Sequence, residues 1–126
     1  MDATRIMAAG FSCGGWMALS LGRATGNRGY AKHCAQVGDR SSPCKDIAKA
    51  GVNFLDVDEA SWNNTLKDAR ITSVAAIEPA LLYGLKAEKV KGLVKNLLLI
   101  GLGSGSDRLF ATDFSATSSD FEILLP

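Results

Sequence analysis

The sequence predicts an α/β fold built from about three parallel strands with flanking helices. Three short apolar runs carry that prediction, at residues 5–9, 70–77 and 97–102. They are nearly continuous instead of alternating, as strands buried in a parallel sheet are. Each is followed by material with helical patterning, which is the βαβ rhythm of a sheet covered on both faces.

The first strand, residues 5–9, ends in Gly10 and leads to a predicted helix over 16–24 with Met17, Leu19 and Leu21 among small residues. Gly26 then punctuates the chain. Residues 27–67 form a mixed, mostly helical insertion, with short helices predicted at 30–36, 44–50 and 59–66 and Asp58 as N-cap of the last. The second strand (RITSVAAI, 70–77) is β-branched and stops before Pro79. Short helical turns are predicted at 80–85 and 88–93. The third strand (LLLIGL, 97–102) runs into a loop rich in Gly, Ser, Thr and Asp, and residues 121–125 read as the start of a further helix. The whole of 1–126 reads as one domain. Three strands are few for a doubly covered parallel sheet, because the outer strands expose long apolar edges. The chain therefore reads as part of a larger domain.

Charge excludes some functions. Fourteen Lys and Arg against thirteen Asp and Glu leave a net charge of +1 with no basic stripe, which argues against nucleic acid as partner. No apolar run approaches the ~20 residues of a membrane helix, so no membrane partner is expected. The first residues carry Asp2 and Arg5 but no charged region followed by an apolar core. No signal peptide is thus expected, and the chain as given reads as cytoplasmic. There is no C-x-x-C, and His33 is the single histidine, so neither metal nor cofactor is expected. Cys34 and Cys44 flank a polar stretch that a disulfide could close into a small loop; two unpaired thiols are the other reading.

Residues 10–15 read GFSCGG. The pattern G-x-S-x-G has chemical meaning at a strand-to-helix turn. There small flanking residues let the backbone pass close to itself, the serine hydroxyl rises above the sheet edge, and the following N–H faces a developing oxyanion. Strand, glycine, serine, glycine and helix occur here in that order. A competing reading takes Gly101, Gly103 and Gly105 as a phosphate loop for a nucleotide, although position 106 is serine and no clear helix follows. The sequon Asn63-Asn64-Thr65 fits a glycosylation acceptor, and the lysine-rich run 86–95 reads as a solvated surface.

The segment GFSCGGWMALSLGRA resembles the nucleophile elbow of α/β-hydrolases, in particular the dienelactone hydrolase-like group. DARITSVAAIEPAL (68–81) resembles the next strand of that group, and KNLLLIGLGSGSD (95–107) the strand whose loop carries the triad acid. The resemblance implies a partial α/β-hydrolase fold and a carboxylic ester or lactone as small-molecule substrate. It implies Ser12 as nucleophile, the Cys13 N–H as an oxyanion-hole donor, and Asp107 as acid, with Asp113 as second choice. It also implies a Cys34–Cys44 pair, and with it a periplasmic or secreted full-length form. The departure lies in the base: the family's histidine follows the acid, and none follows Asp107 here. His33 precedes the acid, beside Cys34, and does not match the family position. The implied protein is a hydrolase fragment inactive alone. The alternative is a non-catalytic α/β chain that self-associates as a homo-oligomer through exposed strand edges.

Overall fold

The computed structural model describes residues 4–26, 28–37, 42–82, 87–101 and 120–124. Four strands form one parallel sheet: β1 (Ile6–Phe11), β2 (Ile71–Ile77), β3 (Asn96–Ile100) and β4 (Asp120–Leu124), in the order β1-β2-β3-β4. The three expected strands are present. Where a helix was expected to begin at 121, the described residues 120–124 form a strand, paired with β3 from Asn96↔Asp120 to Ile100↔Leu124. A five-residue run such as DFEIL suits either state by pattern, and the open hydrogen-bonding edge of β3 decides it.

Helix α1 (Cys13–Leu21) follows β1 directly and packs on β1 and β2. Its sheet-facing side is made of small residues, which lets the helix axis come close. A Cβ on Gly22 would lie 2.4 Å from Val74 Cγ2, and one on Gly15 3.1 Å from the Ile77 carbonyl oxygen. Ala18 and Leu19 then meet Val74, Ala76, Leu97 and Leu99 in the core. The helix ends in a Schellman arrangement. Ala24 N–H donates to the Leu19 carbonyl (2.8 Å) and Arg23 N–H to that of Ser20 (3.1 Å), with Arg23 in the left-handed region at φ 83°.

The insertion contains α2 (Gly29–Val37), α3 (Ser42–Lys49), a 3₁₀ turn (Phe54–Asp56) and α4 (Glu59–Trp62), the last ending four residues before the expected 66. Asp58 caps α4 by accepting from Ser61 N–H at 2.9 Å. Cys34 and Cys44 form a disulfide that ties α2 to α3, with Cα atoms 5.2 Å apart. The turn expected within 88–93 is a 3₁₀ turn at Ala87–Lys89. Among the described residues no helix is long and apolar enough to cross a membrane.

The expectation of a sheet covered on both faces needs correction. Met7, Ala9 and Phe11 point away from α1, and Met7 and Phe11 are 60% and 59% exposed. The face that carries Ile6, Ala8, Val74 and Ala76 is the one α1 packs on. The opposite face receives no helix among the described residues.

Candidate active site

Parallel register aligns the strand ends. Phe11, Ile77 and Ile100 sit side by side, so Ser12, Glu78 and Gly101 leave the sheet together at its carboxyl edge. That edge is where open α/β sheets bind ligands. Two hydrogen bonds continue the ladder past the strands: Ser12 N–H to the Ile77 carbonyl (3.0 Å) and Glu78 N–H to the Ile100 carbonyl (2.7 Å).

Ser12 occupies the N-cap position of α1 but does not cap it. Its φ of 54° and ψ of −120° lie far from the extended conformation in which a serine oxygen reaches the N2 or N3 amide, and its side chain makes no capping bond. The Ser12 carbonyl is pinned instead, accepting from Trp16 N–H (3.1 Å) and Ala80 N–H (3.0 Å). A non-glycine residue held there costs ~1–3 kcal/mol. The hydroxyl of the half-buried Ser12 is thus left for another use.

The two glycines of the motif do different work. A Cβ on Gly10 would lie 2.3 Å from both the carbonyl carbon and oxygen of Gly14, so the strand end and the first helical turn pass in backbone contact. A Cβ on Gly14 would meet nothing within 4 Å. Cys13 is exposed, and as the first residue of α1 it carries an N–H with no intrahelical acceptor. Together with the positive end of the helix dipole, that amide is suited to an oxyanion.

Glu78 is a residue the sequence reading passed over. It directly follows β2, beside Ser12 along the edge, is 4% exposed, and holds φ at 42°. A carboxyl group buried this deeply is uncommon, which makes it a distinctive group at the strand end. The signal was visible in AAIEPA, where a single acid interrupts an apolar run just before a proline. Asp107 and Asp113, the acids expected from the sequence, lie outside the described residues, as do Gly103 and Gly105 of the alternative phosphate loop. Gly101 is buried at the end of β3. His33 belongs to α2 in the insertion, with its ring centroid 6.2 Å from that of Tyr30.

A cavity of about 260 Å³ opens beside the elbow. Trp16, one helical turn after Ser12, forms part of its wall, and so does Leu81, next to the Ala80 amide that binds the Ser12 carbonyl. No family model, curated protein or solved structure matches this chain.

Proposed function

We propose that Ser12 is the nucleophile of a serine hydrolase acting on carboxylic esters or lactones. The observation that carries this reading is the backbone of Ser12: a serine at an N-cap, in a strained conformation, with its hydroxyl not used for capping. In the proposed reaction the Ser12 Oγ attacks the substrate carbonyl as its proton passes to a base. The Cys13 N–H stabilises the oxyanion, and collapse expels the alcohol to leave an acyl-serine that water hydrolyses. Glu78 takes the acid's place at this edge in our reading, with Asp107 as the competing assignment. The base is what this chain does not offer in the expected place. Its single histidine, His33, precedes both carboxylates. Unaided, the chain is therefore expected to turn over no ester, since a serine hydroxyl without a base is a weak nucleophile.

Chemical rescue tests this. With imidazole added as an external base, a fluorophosphonate should phosphonylate Ser12 selectively, as mapped by peptide mass spectrometry, and Ser12→Ala should abolish the adduct. Labelling spread evenly over the chain's exposed serines sinks the nucleophile assignment. Robust labelling of Ser12 without imidazole sinks the inactivity claim.

A second reading has its own support: β1 is an edge strand, and its outer face presents Met7 and Phe11 at 60% and 59% exposure. An unpaired strand edge beside an exposed apolar face favours association with a second copy. Sedimentation should then show a concentration-dependent dimer that Met7→Lys shifts to monomer. A monomer at all concentrations removes this reading.

A further inference from the structure

The cavity beside the elbow is a built compartment. Its floor includes Tyr30 and Ser20, 4% and 3% exposed, and its mouth is bordered by Leu66 at 53%. Both tryptophans of the chain, Trp16 and Trp62, stand in its wall. None of the described residues lining it is charged.

The wall is held from several directions. Trp62 Nε1–H donates to the Phe54 carbonyl (3.2 Å), and the Phe54 and Trp62 rings meet edge to face at 5.3 Å. Tyr30 packs on the same Phe54 at 6.1 Å between centroids, and its helix α2 is fixed to α3 by the Cys34–Cys44 disulfide. The insertion is in turn fastened to the loop after α1. Gly26 N–H donates to the Asn64 carbonyl (3.2 Å), and Thr65 Oγ1–H to that of Ala24 (3.2 Å). A Cβ on Gly26 would lie 2.5 Å from the Trp62 carbonyl oxygen, so the two segments touch through backbone. An insertion fastened this firmly against the elbow helix has a positional task, and the cavity lies where the two meet.

We propose that this cavity is a binding site for an uncharged aryl or alkyl group, and that it seats the acyl side of the ester whose carbonyl Ser12 attacks. Chemistry and size select the ligand class. The described walls, uncharged and containing two indoles and a phenol, favour rings and alkyl chains over a charged group. At roughly 30 Å³ per water, the volume equals about eight or nine waters, room for a phenylpropanoyl group of about ten heavy atoms. Trp16, whose amide binds the Ser12 carbonyl, and Leu81, next to the Ala80 amide that does the same, both line the cavity, and this adjacency is what ties the seated group to Ser12 in the proposal. The acyl assignment rests on the nucleophile reading; the binding itself does not.

The test uses N-methyl-3-phenylpropanamide, an ester isostere that cannot turn over, with tryptophan fluorescence as readout. Because both tryptophans line the site, binding should give a saturable change. Leu81→Glu should weaken it at least tenfold, and Asp68→Asn, which does not line the cavity, should leave it unchanged. Leu66→Glu, at the exposed mouth, serves as a second variant should Leu81→Glu not fold, and should also weaken binding. The cationic 3-aminopropanamide should give no saturable response. A linear response to the phenyl probe, or binding that survives both glutamate variants, overturns the proposal. Imidazole-assisted phosphonylation of Ser12 separates the two readings. Labelling without saturable binding leaves the nucleophile and removes the cavity, and binding without labelling does the reverse.

Discussion

Replacing each motif glycine by alanine should move stability in opposite directions. At Gly10 the added methyl would stand 2.3 Å from two Gly14 backbone atoms and 2.9 Å from the Gly14 Cα. These are main-chain atoms of the first turn of α1, held by the Trp16 N–H to Ser12 carbonyl bond, and no side-chain rotation relieves the overlap. The strand end and helix must part by about 1 Å, which disturbs the bonds at Ser12 and the packing of Gly15 on the Ile77 carbonyl. Overpacking of this kind costs typically 1–3 kcal/mol, and a backbone-to-backbone clash belongs at the upper end or beyond. About 3 kcal/mol corresponds to a fall in Tm on the order of 10–15 °C at this chain length. At Gly14 the new methyl meets nothing within 4 Å, and the position lies in the first turn of a helix. There alanine should stabilise by ~0.5–1 kcal/mol through helix propensity and a less entropic unfolded chain. Urea denaturation of the two single variants gives both numbers. Equal effects at the two sites, or a Gly10→Ala variant within 0.5 kcal/mol of the parent, would refute the close approach on which the elbow depends.

Four further outcomes are expected. Arg23→Gly should stabilise the chain by roughly 1 kcal/mol in urea melts, because glycine adopts the left-handed φ of 83° without the penalty arginine bears. Reducing the disulfide, or replacing Cys34 and Cys44 by serine, should lower stability by about 2.5–3 kcal/mol, the loop-closure value for a separation of 10 residues. Asp68 is held to a pKa of about 2, from 3.8, chiefly by hydrogen bonds from the Arg70 side chain and then by the Arg70 backbone N–H. A depressed pKa in the folded state means its stabilisation is complete above about pH 4 and is lost as pH falls toward 2, so Asp68→Asn should flatten the acid limb of a stability-against-pH curve. Finally, Glu78→Gln should keep the near-UV circular dichroism of the parent yet slow imidazole-assisted phosphonylation of Ser12 at least tenfold; if Asp107→Asn produces that slowing instead, the acid is Asp107.

What the sequence made legible follows from how local each signal is. RITSVAAI and LLLIGL announce strands because each is a short, β-branched or apolar run bounded by turn residues. Asp58 announces a cap because its partner lies three residues away. The open face behind Met7 and Phe11 was hidden, since it depends on which face α1 packs on, and no run of residues in β1 encodes that. The cavity was hidden for a related reason: Trp16, Tyr30, Trp62 and Leu81 are scattered over 66 positions and meet only when the insertion folds back on α1. Cys34 and Cys44 fell between these cases, close enough for a loop but with a spacing equally suited to two thiols. Glu78 was legible in principle, but its weight comes from burial, which the letter E does not carry.

Backbone strain supplies the remaining argument for where this molecule's chemistry lies. Four non-glycine residues among those described hold positive φ: Ser12, Arg23, Glu78 and Leu81. Arg23 serves a helix terminus, where such a conformation is routine. The other three lie at or just beyond the carboxyl ends of β1 and β2 and are linked by the Ala80 N–H to Ser12 carbonyl bond. A turn that only had to change direction would be most stable with glycine at each position, since glycine bears no Cβ penalty there. Glycine is abundant in this chain, with 13 residues, and Gly10 and Gly15 show it placed where backbones must touch. At 12, 78 and 81 a hydroxyl, a carboxyl and an isobutyl group stand instead, at a combined cost on the order of several kcal/mol. The side chains account for that cost if they are used: Ser12 to attack, Glu78 to orient the base that activates it, and Leu81 to line the seat of the acyl group. Substituting glycine at all three should therefore stabilise the fold in urea while removing both the selective phosphonylation of Ser12 and the saturable binding of the phenyl probe. A triple variant that loses stability would show that these conformations are not strained and that backbone strain does not mark a site here.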